Sequence, residues 1–147
     1  MATHEMLARL PQLDDDGDIG VEKIHVVPTD DGADLKFKGT LLASIASDPR
    51  GQGRWREYRV YCTVGRQYVF SKVGRSLFED ERDLFEAKVW AAQTACEGGG
   101  FQTKVLDQLP RPLERQLTDA LVDYFKFDAL AKQLYAKLGL DATQHVA

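Results

Sequence analysis

The chain has 147 residues, of which 44% are hydrophobic and 29% are charged. This length suits one ordinary domain with its own core, and this composition excludes global disorder. The formal net charge of -4 argues against a dedicated duplex-DNA binder, which usually carries a basic excess. The two cysteines, Cys62 and Cys96, match neither a metal-ligand spacing nor a disulfide framework.

The N-terminal segment lacks the basic start, apolar centre and cleavage site of a signal peptide, and no apolar run reaches the ~20 residues of a membrane span. We therefore expect a cytoplasmic location. Residues 1–20 are predicted to form a mobile arm and an acidic loop, because Asp14, Asp15, Asp16 and Asp18 follow a short apolar piece. A single domain is predicted over 21–141, with a frayed tail over 142–147.

The first predicted strands are 21–27 and 35–47. Pro28 and a turn-rich segment end the first strand. In the second, apolar and polar residues alternate, as a strand with one buried face requires. Gly39 lies on the apolar side, which predicts a bulge or a close approach of another backbone. The predicted apolar side consists of Leu35, Phe37, Gly39, Leu41, Ala43 and Ile45.

Residues 54–75 are predicted to form a β-hairpin. Gly65 and Arg66 are interpreted as a two-residue type II′ turn, in which glycine supplies the positive φ. That register places Tyr61 opposite Phe70 and Arg59 opposite Lys72. One face then carries the residues of a core, namely Tyr58, Val60, Cys62, Val64, Val69 and Val73. The other face, which we call the aromatic-basic face, carries Trp55, Arg59, Tyr61, Tyr68, Phe70 and Lys72.

The next segment has two interpretations. Ser76 and Glu79 fit a capping box, and a helical stripe runs from Phe85 to Cys96, which slightly favours a helix over 76–97. The alternation of apolar residues over 84–91 fits a further strand equally well. Beyond it, a short turn or helix near Leu109 is predicted, ended by Pro110.

Two helices are predicted in the last third of the chain. Pro112 suits a first helical position. An apolar stripe with a period of 3.6 residues follows, formed by Leu113, Leu117, Ala120, Leu121, Tyr124 and Phe125. Asp128 is a suitable N-cap for the last helix and Gly139 a suitable C-terminal residue. Strands followed by helices predict an α+β fold, with an antiparallel sheet covered on one face.

The aromatic-basic face is the candidate contact surface. Seven cations and one acid, Glu57, lie within residues 50–75, which gives a local balance of +6 (seven minus one). Exposed rings beside arginine fit an acidic protein surface or single-stranded nucleic acid, whose bases stack on aromatic side chains. The alternative is that Trp55, Tyr61 and Phe70 pack beneath the N-terminal arm or the last helix.

Catalytic and metal-binding patterns are absent from the sequence. None of His4, His25 and His145 has a Cys, Asp or Glu at a ligand spacing, and no serine has the glycines of a nucleophile elbow. We therefore predict no catalytic residues, no metal and no cofactor.

Three segments resemble small uncharacterised bacterial proteins of the EXLDI type. The first runs from Lys38 to Ala43. The second runs from Glu57 to Tyr61 and continues with Thr63, Gly65, Tyr68 and Val69. The third combines Ala131 to Tyr135 with Leu138 to Asp141. The resemblance implies a strand-rich middle and a strand over 84–91, and it implies no established activity.

The function we expect is that of a non-enzymatic interaction module of a bacterial cytoplasm, which binds a protein partner or a second copy of itself through the aromatic-basic face. Single-stranded nucleic-acid binding by the same face is one alternative. An enzyme or small-molecule binder whose site forms only in three dimensions is another. No membrane partner is expected.

Overall fold

The computed structural model describes residues 18–48, 53–92 and 111–142. Five strands form one sheet: β1 (Glu22–Val27), β2 (Leu35–Ala46), β3 (Arg54–Thr63), β4 (Tyr68–Ser76) and β5 (Leu84–Trp90). Two helices follow: α1 (Arg111–Phe125) and α2 (Ala129–Leu138). The predicted arm up to residue 17, the short turn or helix near Leu109 and the tail beyond residue 142 lie outside the described residues.

The sheet is an antiparallel meander in which each strand pairs with its neighbours in sequence, in the order β1-β2-β3-β4-β5. The predicted α+β fold is therefore confirmed. Segment 84–90 is a strand, so the preference for a helix over 76–97 is wrong there. The alternation of Phe85, Ala87 and Val89 was the better signal, because these residues occupy one face of the sheet opposite Val73, Ser71 and Val69 of β4.

Both helix ends of α2 follow the sequence prediction. The side chain of Asp128 accepts a hydrogen bond from N of Ala131, which satisfies one of the free N–H groups of the first turn. Gly139 ends the helix with φ of 72°, a left-handed conformation that costs glycine little. The helices pack on one face of the sheet, which we call the helix face. Their buried apolar residues include Leu117, Leu121, Leu130 and Leu134.

The hairpin between β3 and β4 turns through three residues, 64–66. N of Thr63 donates a hydrogen bond of 2.8 Å to O of Gln67, which closes the loop. Arg66 has φ of 65°, so the left-handed residue is the third of the loop. The two-residue turn predicted at Gly65 and Arg66 is therefore wrong.

The longer loop moves the register of the hairpin by one residue. Tyr61 lies opposite Val69, and Val60 lies opposite Phe70. Because side chains alternate between faces, a slip of one residue exchanges the two faces of β4. Trp55, Arg59 and Tyr61 consequently lie on one face of the sheet. The helix face carries the other three predicted contact residues, which are Tyr68, Phe70 and Lys72.

The aromatic-basic face therefore does not exist as one surface. Its rings are also buried, with exposed fractions of 3% for Trp55, 8% for Tyr61, 1% for Tyr68 and 0% for Phe70. Phe70 is buried, as the alternative interpretation held, but it packs against Tyr124 and Phe125 of α1 and not beneath the last helix.

The opposite face of the sheet, which we call the concave face, holds a second core. Val27, Leu41, Tyr61 and Val69 cluster there, with Ala87 against them, so all five strands contribute. The sheet curls so that the loop after β1 reaches the start of β5. Beyond the end of β1, N of Asp30 donates to O of Phe85, and N of Phe85 donates to Oδ2 of Asp30, both at 2.9 Å.

A bulge in β2 lets this one strand serve both cores. Leu41 lies opposite Tyr61 on the concave face, whereas Ala43 lies opposite Val60 on the helix face. The predicted single apolar side is therefore divided at Leu42. Gly39 is a close backbone approach, as predicted, since a Cβ there would clash with O of Cys62.

Among the described residues, no helix has the length and apolar character needed to cross a bilayer.

Candidate functional site

Four arginines converge on one cavity at the end of the sheet where β3 begins, β4 ends and β5 begins. The cavity has a volume of about 630 Å³ and is lined by Arg54, Arg56, Arg75 and Arg82. We call it the arginine cavity. The first three arginines belong to the basic segment that the sequence singles out, and Arg82 comes from the turn before β5.

Gly74 leaves room for the cavity. It lies opposite Arg56 on one side and Leu84 on the other, in the centre of three strands. A Cβ at this position would meet only the Cβ of Leu84, at 3.7 Å, so the hollow results from the missing side chain rather than from a tight backbone contact. Arg54 and Arg56 point to the same face as Gly74, because they are two residues apart on β3.

Arg54 is fixed by the turn between β4 and β5. Its guanidinium makes a two-pronged ion pair with Glu81 and lies 4.8 Å from the centre of the Phe78 ring. The hydrogen bond from Arg54, together with one from Ser76, lowers the pKa of Glu81 to about 2. Glu81 is therefore ionised at neutral pH, and the pair holds Arg54 in one orientation.

Arg56 is fixed by the helices. Its Nη1 lies 2.8 Å from Oδ2 of Asp128 and 3.1 Å from the hydroxyl of Tyr58. Burial, and then the hydrogen bond to Asp128, raise the pKa of Tyr58 to about 12. The pKa of Asp128 is lowered, because the hydrogen bonds and charge of Tyr58, Ala131 and Arg56 outweigh its partial burial.

Arg75 lies between two carboxylates on the concave face. Its Nε donates to Oε2 of Glu57 at 2.6 Å, and its Nη1 donates to Oδ2 of Asp83 at 3.1 Å. Glu57 is 2% exposed and also accepts a bond from the indole N–H of Trp55 at 2.8 Å. Nη1 of Arg59 lies 2.9 Å from Oε1 of Glu57.

The N–H donors of Trp55, Arg59 and Arg75 keep the buried carboxylate of Glu57 ionised. Burial on its own would raise the pKa of the carboxyl. The hydrogen bond from Arg75, the charge of Arg59 and the bond from Trp55 overcome that effect and hold the pKa below its ordinary value. Arg75 is thereby positioned rigidly at the wall of the arginine cavity.

Arg82 is the least constrained of the four arginines. Its side chain is 73% exposed, and its bond to Oδ1 of Asp30 is long, at 3.4 Å. A guanidinium has five N–H donors in a planar fork, so each of these arginines keeps donors that are not used within the described residues. Asp48 and Glu81 are the acids of the cavity's own lining, whereas Asp30, Glu57, Asp83 and Asp128 pair with the other arginines from outside it, so the four arginines carry no excess of positive charge.

A second cavity of about 560 Å³ adjoins the first, and the two share Arg56, Gly74, Arg82 and Leu84. It extends toward the corner between α1 and α2, where Tyr58 and Phe125 contribute to its wall. Together the two cavities form a groove across this end of the sheet.

Two of the six predicted contact residues reach this groove. Trp55 lines the arginine cavity and Lys72 lines the second cavity, where its Nζ lies 4.5 Å from the centre of the Tyr124 ring. Arg59, Tyr61, Tyr68 and Phe70 line neither cavity. The spacing of Arg54 and Arg56 was the available signal for the site, whereas nothing local in the sequence links Arg82 to them.

Over the ranges that the structure describes, no group of three or more His, Cys, Asp or Glu side chains is placed to hold a metal ion. No protein-family model matches this chain, and neither a curated protein nor a solved structure matches it. The resemblance to EXLDI-type proteins therefore stays a prediction.

Proposed function

We propose that this protein is a non-enzymatic interaction module of the bacterial cytoplasm that binds an acidic segment of a partner protein in the arginine cavity. The observation that carries the proposal is the convergence of Arg54, Arg56, Arg75 and Arg82 on one hollow, where each guanidinium has N–H donors beyond those bonded to its carboxylate partner. Arginine recognises carboxylates through paired N–H groups, and it is one of the residue types that dominate interface energies.

Preorganisation of the arginines supports this function. A flexible arginine loses side-chain entropy when it binds, and that cost lowers affinity. Here Arg54 is held by Glu81, Arg56 by Asp128, and Arg75 by Glu57 and Asp83. Arg75, whose side chain is 28% exposed, therefore presents its remaining donors with little further ordering, whereas the more exposed Arg54, Arg56 and Arg82 can adjust to the ligand.

Burial of the aromatic rings favours a protein partner over single-stranded nucleic acid. Nucleic-acid binding of that kind depends on exposed rings on which bases stack. Trp55, Tyr61, Tyr68 and Phe70 are each at most 8% exposed, so the rings that suggested this alternative offer no such platform.

Side-chain NMR of the full chain tests the proposal. We would titrate ¹⁵N-labelled protein with a peptide rich in Asp and Glu and follow the Nε–Hε signals of arginine. The signals of Arg54, Arg75 and Arg82 should shift together, and affinity should decrease as salt is added, because salt screens exposed charges. Arg82→Glu should weaken binding by roughly tenfold, which corresponds to about 1.4 kcal/mol.

Lys132→Glu is the matched control. Lys132 is exposed on α2, does not line either cavity, and the substitution makes the same change of charge. Equal weakening by both variants would show a non-specific charge effect and contradict the proposal. Absence of shifts with the peptide at low salt would do the same, as would stronger binding of inorganic phosphate or of an oligothymidine at the same arginines.

A further inference from the structure

Strand β1 forms one edge of the sheet and has an apolar outer surface. Ile24 and Val26 are 62% and 60% exposed, and Val21, just before the strand, is 49% exposed. Both strand residues point to the helix face, since they lie opposite Lys38 and Lys36 of β2. Within the described residues, β1 pairs with β2 alone.

The centre of this edge lacks the usual protection. Natural edge strands carry charged residues, proline or bulges that prevent pairing with another chain. In β1 the charges are confined to Glu22 and Lys23 at the start, and Pro28 lies just after the end. Lys23 is moreover paired with Asp18 at 2.9 Å.

The sequence of β1 is complementary to itself in the antiparallel direction. In a continuous sheet formed by two copies, residues that lie opposite one another must share a face, so the two-fold axis must pass through a residue. With the axis at His25, Ile24 of each copy lies opposite Val26 of the other. With the axis at Ile24, Glu22 would lie opposite Val26, which places a charge within the exposed apolar patch of the helix face. The His25 register also has one such pair, Lys23 opposite Val27, but it lies on the concave face and leaves the contact between Ile24 and Val26 intact.

An axis at Val26 is excluded by backbone chemistry. It would place Ile24 opposite Pro28, which has no N–H group to contribute to the ladder. The register centred on His25 is therefore the one that combines apolar contacts with an unbroken ladder over residues 23–27.

We propose that a second copy of this chain pairs with β1 in an antiparallel manner about His25, so that the sheets of two molecules join edge to edge. The paired Ile24 and Val26 side chains form an apolar centre of four residues, two from each copy. Lys36 and Lys38 of β2 flank it on both sides, as the polar rim of an interface would. The interface is isologous, the type found in two-fold dimers.

The dimer should be concentration-dependent. A single six-residue strand buries less than the ~1,600 Å² of a standard interface, so we expect dissociation in the micromolar range. Sedimentation velocity of the full chain, from low micromolar to millimolar concentration, should show conversion of monomer to dimer. A monomer over this whole range would overturn the proposal.

Charged substitutions locate the interface. Ile24→Lys and Val26→Lys should each abolish the dimer without loss of thermal stability, because both side chains are exposed in the monomer. Val64→Lys is the control, since Val64 is also exposed, at 58%, but lies in the β3–β4 loop. A dimer that survives the β1 variants, or that Val64→Lys also abolishes, would contradict the assignment.

Disulfide trapping tests the register. In a Cys96→Ser background, an equimolar mixture of Ile24→Cys and Val26→Cys chains should form a mixed disulfide, because these positions lie opposite each other. Each variant on its own should cross-link much less. Preferential self-linking of Ile24→Cys would indicate an axis at Ile24 and would overturn the proposed register.

Discussion

The hydroxyl of Tyr58 donates a hydrogen bond of 2.7 Å to Oδ2 of Asp128, and this contact joins the centre of β3 to the first turn of α2. Asp128 thus has two roles. Oδ1 caps the helix through N of Ala131, while Oδ2 binds Tyr58 and Arg56 of the sheet. One carboxylate therefore connects the start of a helix, the helix face and the arginine cavity.

We expect Asp128→Ala to lower the free energy of unfolding by about 2–4 kcal/mol, as the sum of a lost cap and lost hydrogen bonds to a charged group. Tyr58→Phe should cost about 1 kcal/mol, because the ring stays packed on Phe125. Urea denaturation of both single variants and the double variant measures the coupling. Strictly additive effects would show that the contact contributes nothing.

Glu57→Gln should be strongly destabilising. It leaves Arg59 and Arg75 next to a neutral side chain that is 2% exposed, and breaking a buried ion pair costs about 3–5 kcal/mol. Equilibrium denaturation checks this value. Glu22→Gln is the matched control, since Glu22 has an exposed ion pair of 3.7 Å with Lys38 and should change stability by less than ~1 kcal/mol.

The pH dependence of stability should report His25. Its ring packs against Phe37 and Tyr61, and burial, assisted by the charge of Lys23, lowers its pKa. The folded state thus disfavours the protonated ring. Above about pH 6.5 the ring of His25 is neutral in both the folded and the unfolded chain, so it does not lower the free energy of unfolding. Below that pH the free energy of unfolding should decrease by at most about 1.4 kcal/mol per pH unit.

Denaturation curves at several pH values, with His25→Phe as the comparison, isolate this effect. The variant should lose the pH dependence that His25 causes between about 5 and 6.5, whereas His4 and His145 are present in both proteins and cancel in the comparison. Glu57 affects the free energy of unfolding in a different, more acidic pH range. Its pKa is lowered on folding, so its contribution is present above its ordinary pKa and is lost as the pH falls through the folded value. Identical curves for wild type and His25→Phe would contradict the assignment to His25.

A substitution in the β3–β4 loop should stabilise the protein, in contrast to the variants above. Arg66 has φ of 65°, a conformation that costs residues other than glycine about 1 kcal/mol. Arg66→Gly should therefore raise the melting temperature. Gly65→Ala should be nearly neutral, since φ of Gly65 is not positive and a Cβ would lie 3.7 Å from the nearest atom. Destabilisation by Gly65→Ala, with no gain from Arg66→Gly, would indicate a two-residue turn.

Local chemistry was enough to predict much of the fold. Asp128 and Gly139 mark the ends of α2 through a side-chain cap and a left-handed glycine, and β2 and the helical stripes follow from periodicity. Strand β5 was ambiguous because alternation and helical spacing overlap in a segment of seven residues.

The prediction of the contact surface from sequence was wrong because the β3–β4 loop is one residue longer than predicted. A turn at Gly65 is plausible on local grounds, yet the third loop residue, Arg66, accepts the left-handed conformation and moves the register. That step sends Tyr61 and Phe70 to opposite faces. The arginine cavity could not be predicted, because Arg82 lies beside Arg54 only as a result of the turn before β5 and the curvature of the sheet, and neither is evident from local sequence.

Because of the bulge at Leu42, the apolar residues of β2 face the concave core before this residue and the helix-face core after it. Deleting that single residue would make Leu41 and Ala43 neighbours in a regular strand, and neighbouring strand residues lie on opposite faces, so both would keep the faces that they have now. A deletion at Leu42 should therefore be tolerated better than a deletion elsewhere in β2, which would turn the side chains that follow it to the wrong face.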